Sequence, residues 1–220
     1  MPTKPLDPPW LRLPPATMDP FTGYFVQLWH SQFPEYTNLI DIICDIYPET
    51  QHLLDEISRT KGTIWSDTLY LWHHIHPPLH RLLSIPRINP SCPSSLVAEA
   101  LRLGSIIYLS TIRYAFGISP FQSGVPALKI KALFNTFEYT ETEQAALNLG
   151  WGWIKIWVLG CAVINRPPGP DGNWFVDRLN FELGNIGLQG WDDFEKSVGM
   201  FLWIPEVHGV LLRSGSGSSP

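Results

Sequence analysis

The stretch SSLVAEALRLGSIIYLSTIRYAFG, Ser94 to Gly117, decides the fold class. Leu96, Ala100, Leu103, Ile107 and Tyr114 recur at helical spacing, and Val97, Leu101 and Tyr108 make a second stripe beside them. Two adjoining stripes form an apolar face too broad for a surface helix, so this segment is expected inside a bundle. Ser95 is placed to cap it. Glu99 falls in the first turn, where the helix dipole favours an acid, and Gly117 and Pro120 end the pattern.

Downstream, Pro126 opens a short helix carrying Leu128, Leu133 and Phe137. Thr140 and Glu143 then make a capping box for a helix with Ala145, Leu149, Trp153, Ile156, Gly160 and Val163 in register. Gly150, Gly152 and Gly160 are poor helix formers and make sense where another helix packs close. Asn173 can cap a helix ending at Gly184, and Asp192 with Glu195 starts a last one that Pro205 closes. Upstream, Tyr24–Gln32 is a first segment, and Leu39, Ile42, Ile43 and Ile46 share one face of a second that stops before Pro48. Leu53, Leu54 and Ile57 mark a third, over Glu49–Arg59. Ser66 offers a cap for a helix to His76 that buries Trp65, Leu69, Trp72 and Ile75, ended by Pro77 and Pro78. No stretch alternates at period two, so the expected fold is all-α: an irregular bundle of about eight or nine helices with no significant sheet.

Residues 1–20 hold seven prolines, which fix φ and remove donors, and are expected to form a disordered leader. Residues 21–213 are then the helical domain, and Ser214–Pro220 a flexible Ser/Gly tail.

Only 16% of the 220 residues are charged, against roughly 25% in an average soluble domain, while 13% are aromatic. That balance suits a large interior, or a surface shaped for a partner. The net charge of −5 and the absence of any Lys/Arg cluster argue against direct nucleic-acid binding by this segment. The three cysteines, Cys44, Cys92 and Cys161, are odd in number and far apart, so free thiols are expected rather than a disulfide framework or a thiolate metal cluster. The N-terminus lacks the apolar core of a signal peptide. The longest apolar run, Trp151–Ile164, is shorter than the roughly 20 residues a bilayer needs and is interrupted by Lys155; it reads as a buried helix, and no membrane association is expected.

Candidate chemistry is sparse. His73, His74, His76 and His80 fall close together, and His73 and His76, three apart on a helix, could share a metal with His80. Pro77 and Pro78 intervene, no acid stands at H-E-x-x-H spacing, and Trp72, Ile75, Leu79 and Leu82 give the segment the look of core. Asp192 and Asp193 point about 100° apart on a helix, so capping and dipole complementarity explain them better than acid–base work. Cys161 lies in an apolar run without the nearby cation a reactive thiol needs. The tryptophans at 151, 153, 157, 174, 191 and 203 could line an apolar effector pocket, but helical spacing places them in the core. No catalytic residue, bound cofactor or resident metal is expected.

In order and spacing, ALRLGSIIYLST from Ala100, IKIWVLGCAV from Ile154, the Trp174–Phe175 pair and the WDDFEKSVGMFLW block from Trp191 to Trp203 resemble the C-terminal half of the fungal-specific transcription-factor domain. The similarity covers Ser94–Trp203 and runs more weakly back through Leu39–Arg59. This family couples a helical regulatory domain to an N-terminal zinc cluster that reads DNA. The zinc cluster, its basic linker and the N-terminal half of the helical domain have no counterpart here. The resemblance therefore implies a partial regulatory domain, nuclear and non-enzymatic, with no DNA-binding module; apart from the resemblance, the expected location is cytoplasmic. It would associate with a protein partner as a homo- or heterodimer with a related regulator, or bind a small effector. Apolar faces left uncovered by absent helices would favour such pairing. The alternatives are a helical metal-dependent hydrolase using His73, His76 and His80, or a non-functional truncated paralogue.

Overall fold

The computed structural model describes residues 20–118, 124–147, 150–188, 190–199 and 201–211. The leader before Pro20 and the tail from 214 lie outside these residues. Among the described residues there is no strand, and they form an all-α bundle of ten helices. They are α1 (Pro20–Gln32), α2 (Thr37–Thr60), α3 (Thr68–Tyr70), α4 (His76–Ser84), α5 (Pro93–Ala115), α6 (Gly124–Phe137), α7 (Glu141–Ala146), α8 (Trp151–Ile164), α9 (Pro170–Asn185) and α10 (Gly190–Val198). Two π-turns interrupt this pattern, at Leu71–Ile75 between α3 and α4 and at Pro205–Gly209 after α10.

The central element is α5. Every residue from Ser95 to Ile112 is buried. By length and composition α5 could cross a bilayer, but here its whole apolar window lies inside the protein, against α4, α6, α7 and α8. Its cap is Cys92 rather than Ser95: Pro93 takes the first helical position, and Ser95 Oγ, two residues further in, accepts the Cys92 N–H at 2.9 Å. Glu99 is not a dipole partner. It is buried and bound two-fold by Arg102 at 2.8 Å per contact, and it also accepts the Ile88 N–H at 3.2 Å.

Two expected boundaries move. α2 runs straight through Pro48, joining the two helices predicted on either side. A proline inside a helix costs about 3 kcal/mol. Leu39, Ile42, Ile43, Ile46, Leu53 and Ile57 are all buried on one side of α2. Each such side chain contributes roughly 1.5–3 kcal/mol, so the continuous stripe outweighs the break. Conversely, the single helix expected behind Thr140 divides. Thr140 does cap α7, accepting the Glu143 N–H at 3.1 Å, but Gly150 at φ +80° turns the chain before α8 starts.

A buried ionic group ties α7, α8 and α9 together. Lys155 Nζ lies 2.9 Å from both Glu143 and Glu182, and Arg178 binds Glu182 at 2.8 Å and also Glu138. Desolvation alone would raise the Glu143 carboxyl, but the Lys155 ammonium and the N–H groups of Tyr139 and Trp151 hold it below the ordinary carboxylate range.

His208, on the second π-turn, is fully enclosed. Its ring stacks on Tyr108 with centroids 4.7 Å apart, and Nδ1 accepts the Ile204 N–H at 3.1 Å. Burial pushes the imidazole down from 6.5 to about 4, against smaller opposing contacts with the Ile204 and Tyr108 backbone. The unfolded chain takes up this proton near pH 6.5 and the folded chain only near pH 4. The contribution of His208 is therefore complete above the unfolded value and falls as the pH drops between the two. The expected loss is about 3 kcal/mol. Urea midpoints at neutral pH and near pH 4 should fall further apart in the native protein than in His208→Phe.

Candidate functional site: a histidine cluster beside a π-turn

Asp67 starts α3 by accepting the N–H groups of Leu69 and Tyr70 at 3.0 and 3.1 Å, taking the capping role expected of Ser66. The chain then widens into the π-turn Leu71–Ile75 and tightens again into α4, which starts with Pro77 and Pro78 rather than ending before them. A π-turn closes i→i+5 bonds and inserts one residue into the helical register. The face that packs is rotated from the one expected. Tyr70, Leu71 and Ile75 face the core, whereas Leu69 is 67% exposed and Trp72 60% exposed.

The same rotation sorts the histidines. His73 and His80 are exposed and His76 packs edge-on against Trp72 at 4.2 Å; the three histidines of the alternative hydrolase reading do not form a metal-ligand group among the described residues. Desolvation, with a lesser push from Arg113, lowers the His76 imidazole below its ordinary value. His74 instead turns towards α2. Its Nδ1 lies 2.7 Å from Glu49 Oε2, and its ring stacks on Tyr70 at 4.4 Å and on His52 at 5.3 Å. His52 Nδ1 is in turn 3.0 Å from Tyr70 Oη. Burial, and then Glu49 and Glu56, raise the Tyr70 hydroxyl, which stays protonated and able to hold the His52 ring. Among the described residues, Glu49, His52 and His74 are the one group of His, Cys, Asp and Glu side chains whose ligand atoms all lie within 4.8 Å of one another. Glu49 and His52 were not anticipated as partners of the histidine run because they lie on α2. The visible signal was E-x-x-H, Glu49 to His52, a spacing that sets a carboxylate and an imidazole on one helix face.

The remaining candidates resolve more simply. Trp151, Trp157 and Trp203 are core, Trp174 and Trp191 are half-buried, and Trp153 is partly exposed. Trp29, Trp153, Trp157 and Phe201 line an apolar hollow of about 30 Å³, room for little more than one water-sized group, where ligand pockets run to roughly 300 Å³ and more. Asp192 and Asp193 sit exposed in the first turn of α10. Cys161 is buried and its thiol pushed up by desolvation; Cys44 is pushed up to about 12 by burial and then by Asp41 and Asp45. Cys92 alone is lowered, by the hydroxyls of Ser94 and Ser95. No known protein family, curated protein or solved structure matches the chain.

Proposed function

We propose that the chain is a helical regulatory domain of the fungal-specific transcription-factor type, which works in the nucleus by associating with another protein. The partner is a second copy or a related helical regulator. The order of the helical motifs between Ser94 and Trp203 supports the family, and one structural observation supports the mode of action. Leu69 and Trp72 stand three residues apart, 67% and 60% exposed, on a segment whose other apolar side chains are anchored in the core. Tryptophan is over-represented among residues that dominate binding energy, because a large rigid face is desolvated at small entropic cost.

The test is oligomeric state against concentration, by light scattering after size exclusion. A dimer is expected, and Trp72→Glu is expected to weaken it about tenfold or more. Because Trp72 is largely exposed, the helical content and Tm of the variant should stay close to the parent's. A native protein that remains monomeric and retains no related helical regulator would defeat this reading.

A further inference from the structure

We propose that Glu49, His52 and His74 form a binding site for a divalent transition-metal ion of the zinc class, which pins the first π-turn to α2. This inference does not depend on the regulatory reading.

The three side chains come from two elements. Glu49 and His52 are fixed on one face of α2, and His74 is brought to them by the π-turn. Two imidazoles and one carboxylate match the borderline character of zinc and its neighbours, whereas magnesium and calcium favour oxygen-only shells. Metal–ligand bonds of about 2.0–2.2 Å in a tetrahedron set ligand atoms about 3.3 Å apart. The three atoms here already lie within 4.8 Å of one another, and one pair, His74 Nδ1 and Glu49 Oε2, stands at 2.7 Å. Metal binding would have to close the remaining distances by rotation of the exposed His52 and the partly exposed His74 and Glu49 side chains. A metal ion would replace the single hydrogen bond that now links His74 to Glu49.

The surroundings are those of a held ligand set. Tyr70 Oη contacts His52 Nδ1 at 3.0 Å, and the Tyr70 ring packs against both imidazoles. Such outer contacts fix the orientation of metal-ligating histidines. Tyr70 is itself anchored by stacking on Phe116, at the end of α5. The side chains of Glu49 and His74 are about one-third exposed. Three protein ligands at that depth leave at least one coordination position to water and make the ion exchangeable, so binding in the micromolar range is expected rather than the tighter range of closed four-ligand sites.

The experiment uses full-length protein, free of any histidine tag and stripped with chelator, titrated with cobalt(II) and with zinc(II). One equivalent of cobalt should give the visible d–d absorption of a nitrogen–oxygen site. It should lack the near-ultraviolet sulfur-to-cobalt band that Cys44 or Cys92 would produce. Zinc should displace it and raise Tm, increasingly with zinc concentration, because it binds the folded state. His52→Ala, on the exposed side of the cluster, and Glu49→Gln should each weaken binding about tenfold or more. His73→Ala and His80→Ala should leave it unchanged, and circular dichroism of each variant checks that α2 is intact. Absence of a stoichiometric spectrum, a spectrum carrying the sulfur band, binding that survives His52→Ala, or binding lost with His73→Ala or His80→Ala would each overturn the site. Oligomeric state is measured separately, so a failure here is distinct from a failure of the association reading.

Discussion

Lys155→Met is expected to lower stability by about 3 kcal/mol or more. The lysine enters an apolar helix, and its side chain is only 9% exposed, as enclosed as those of Glu143 and Glu182 at 13% and 8%. Methionine preserves volume and apolar contact, so the loss isolates the charge. Glu182 keeps Arg178, but Glu143 keeps only the N–H groups of Tyr139 and Trp151. Its carboxylate would then be buried without a cation, which is costly, and its pKa should rise. The deficit should be greatest at neutral and alkaline pH and shrink as Glu143 takes up a proton. Thermal melts should show Tm about 10 °C lower at neutral pH. The double variant Lys155→Met/Glu143→Gln should recover part of that loss. Equal losses across the pH range would show that Glu143 is not the group left uncompensated.

A comparable effect, from packing instead of charge, is expected at Gly160. A Cβ there would stand 2.2 Å from Phe194 Cζ and within 3.3 Å of two more ring atoms. Phe194 cannot retreat, because it is fully buried and packs edge-on against Trp203 at 5.2 Å and Trp191 at 6.1 Å. Overpacking of this kind costs about 1–3 kcal/mol, and a contact with a whole ring belongs at the upper end, so Gly160→Ala should lose about 3 kcal/mol. Gly152 is the control. It lies on the same helix, and nothing stands within 4 Å of the Cβ position. Gly152→Ala should gain about 0.5–1 kcal/mol from helix propensity. Opposite signs for one chemical change on one helix are the decisive observation. If Gly160→Ala proved neutral, α8 and α10 would not be in the close contact described.

Of the three glycines near the start and middle of α8, the sequence pattern pointed to all as sites of close packing. The structure assigns that role to Gly160, a chain reversal to Gly150, and neither to Gly152. Gly104, in the broad stripe of α5, is a second close approach to α8, where a Cβ would meet Trp157 at 2.7 Å. A missing side chain leaves no direct trace of what fills the space, so glycine spacing locates candidate contacts but not partners. Lys155 was visible as a charge in an apolar run. Its partners Glu143 and Glu182 belong to helices whose docking no local pattern records.

The candidate site shows the same division more sharply. The cluster of histidines was legible in the chain, and so was E-x-x-H at Glu49–His52. Which histidine would meet that pair was not. A 3.6-residue count assigns Leu69 and Trp72 to the core and groups His73 with His76. In the structure Leu69, just ahead of the π-turn, and Trp72, within it, are exposed, and His74 is the histidine of the run that meets α2. The chain alone was sufficient for the helical class and for α5 as a buried helix, because burial of an apolar stripe repeats every turn and needs no knowledge of the partner. The tertiary structure alone decided the continuation through Pro48, the division at Gly150, the shift of register at Leu71–Ile75 and every long-range ion pair. The continuation through Pro48 and the long-range ion pairs depend on free energy from contacts between helices, which at Pro48 outweighs a local cost of about 3 kcal/mol and is not encoded in spacing along the chain.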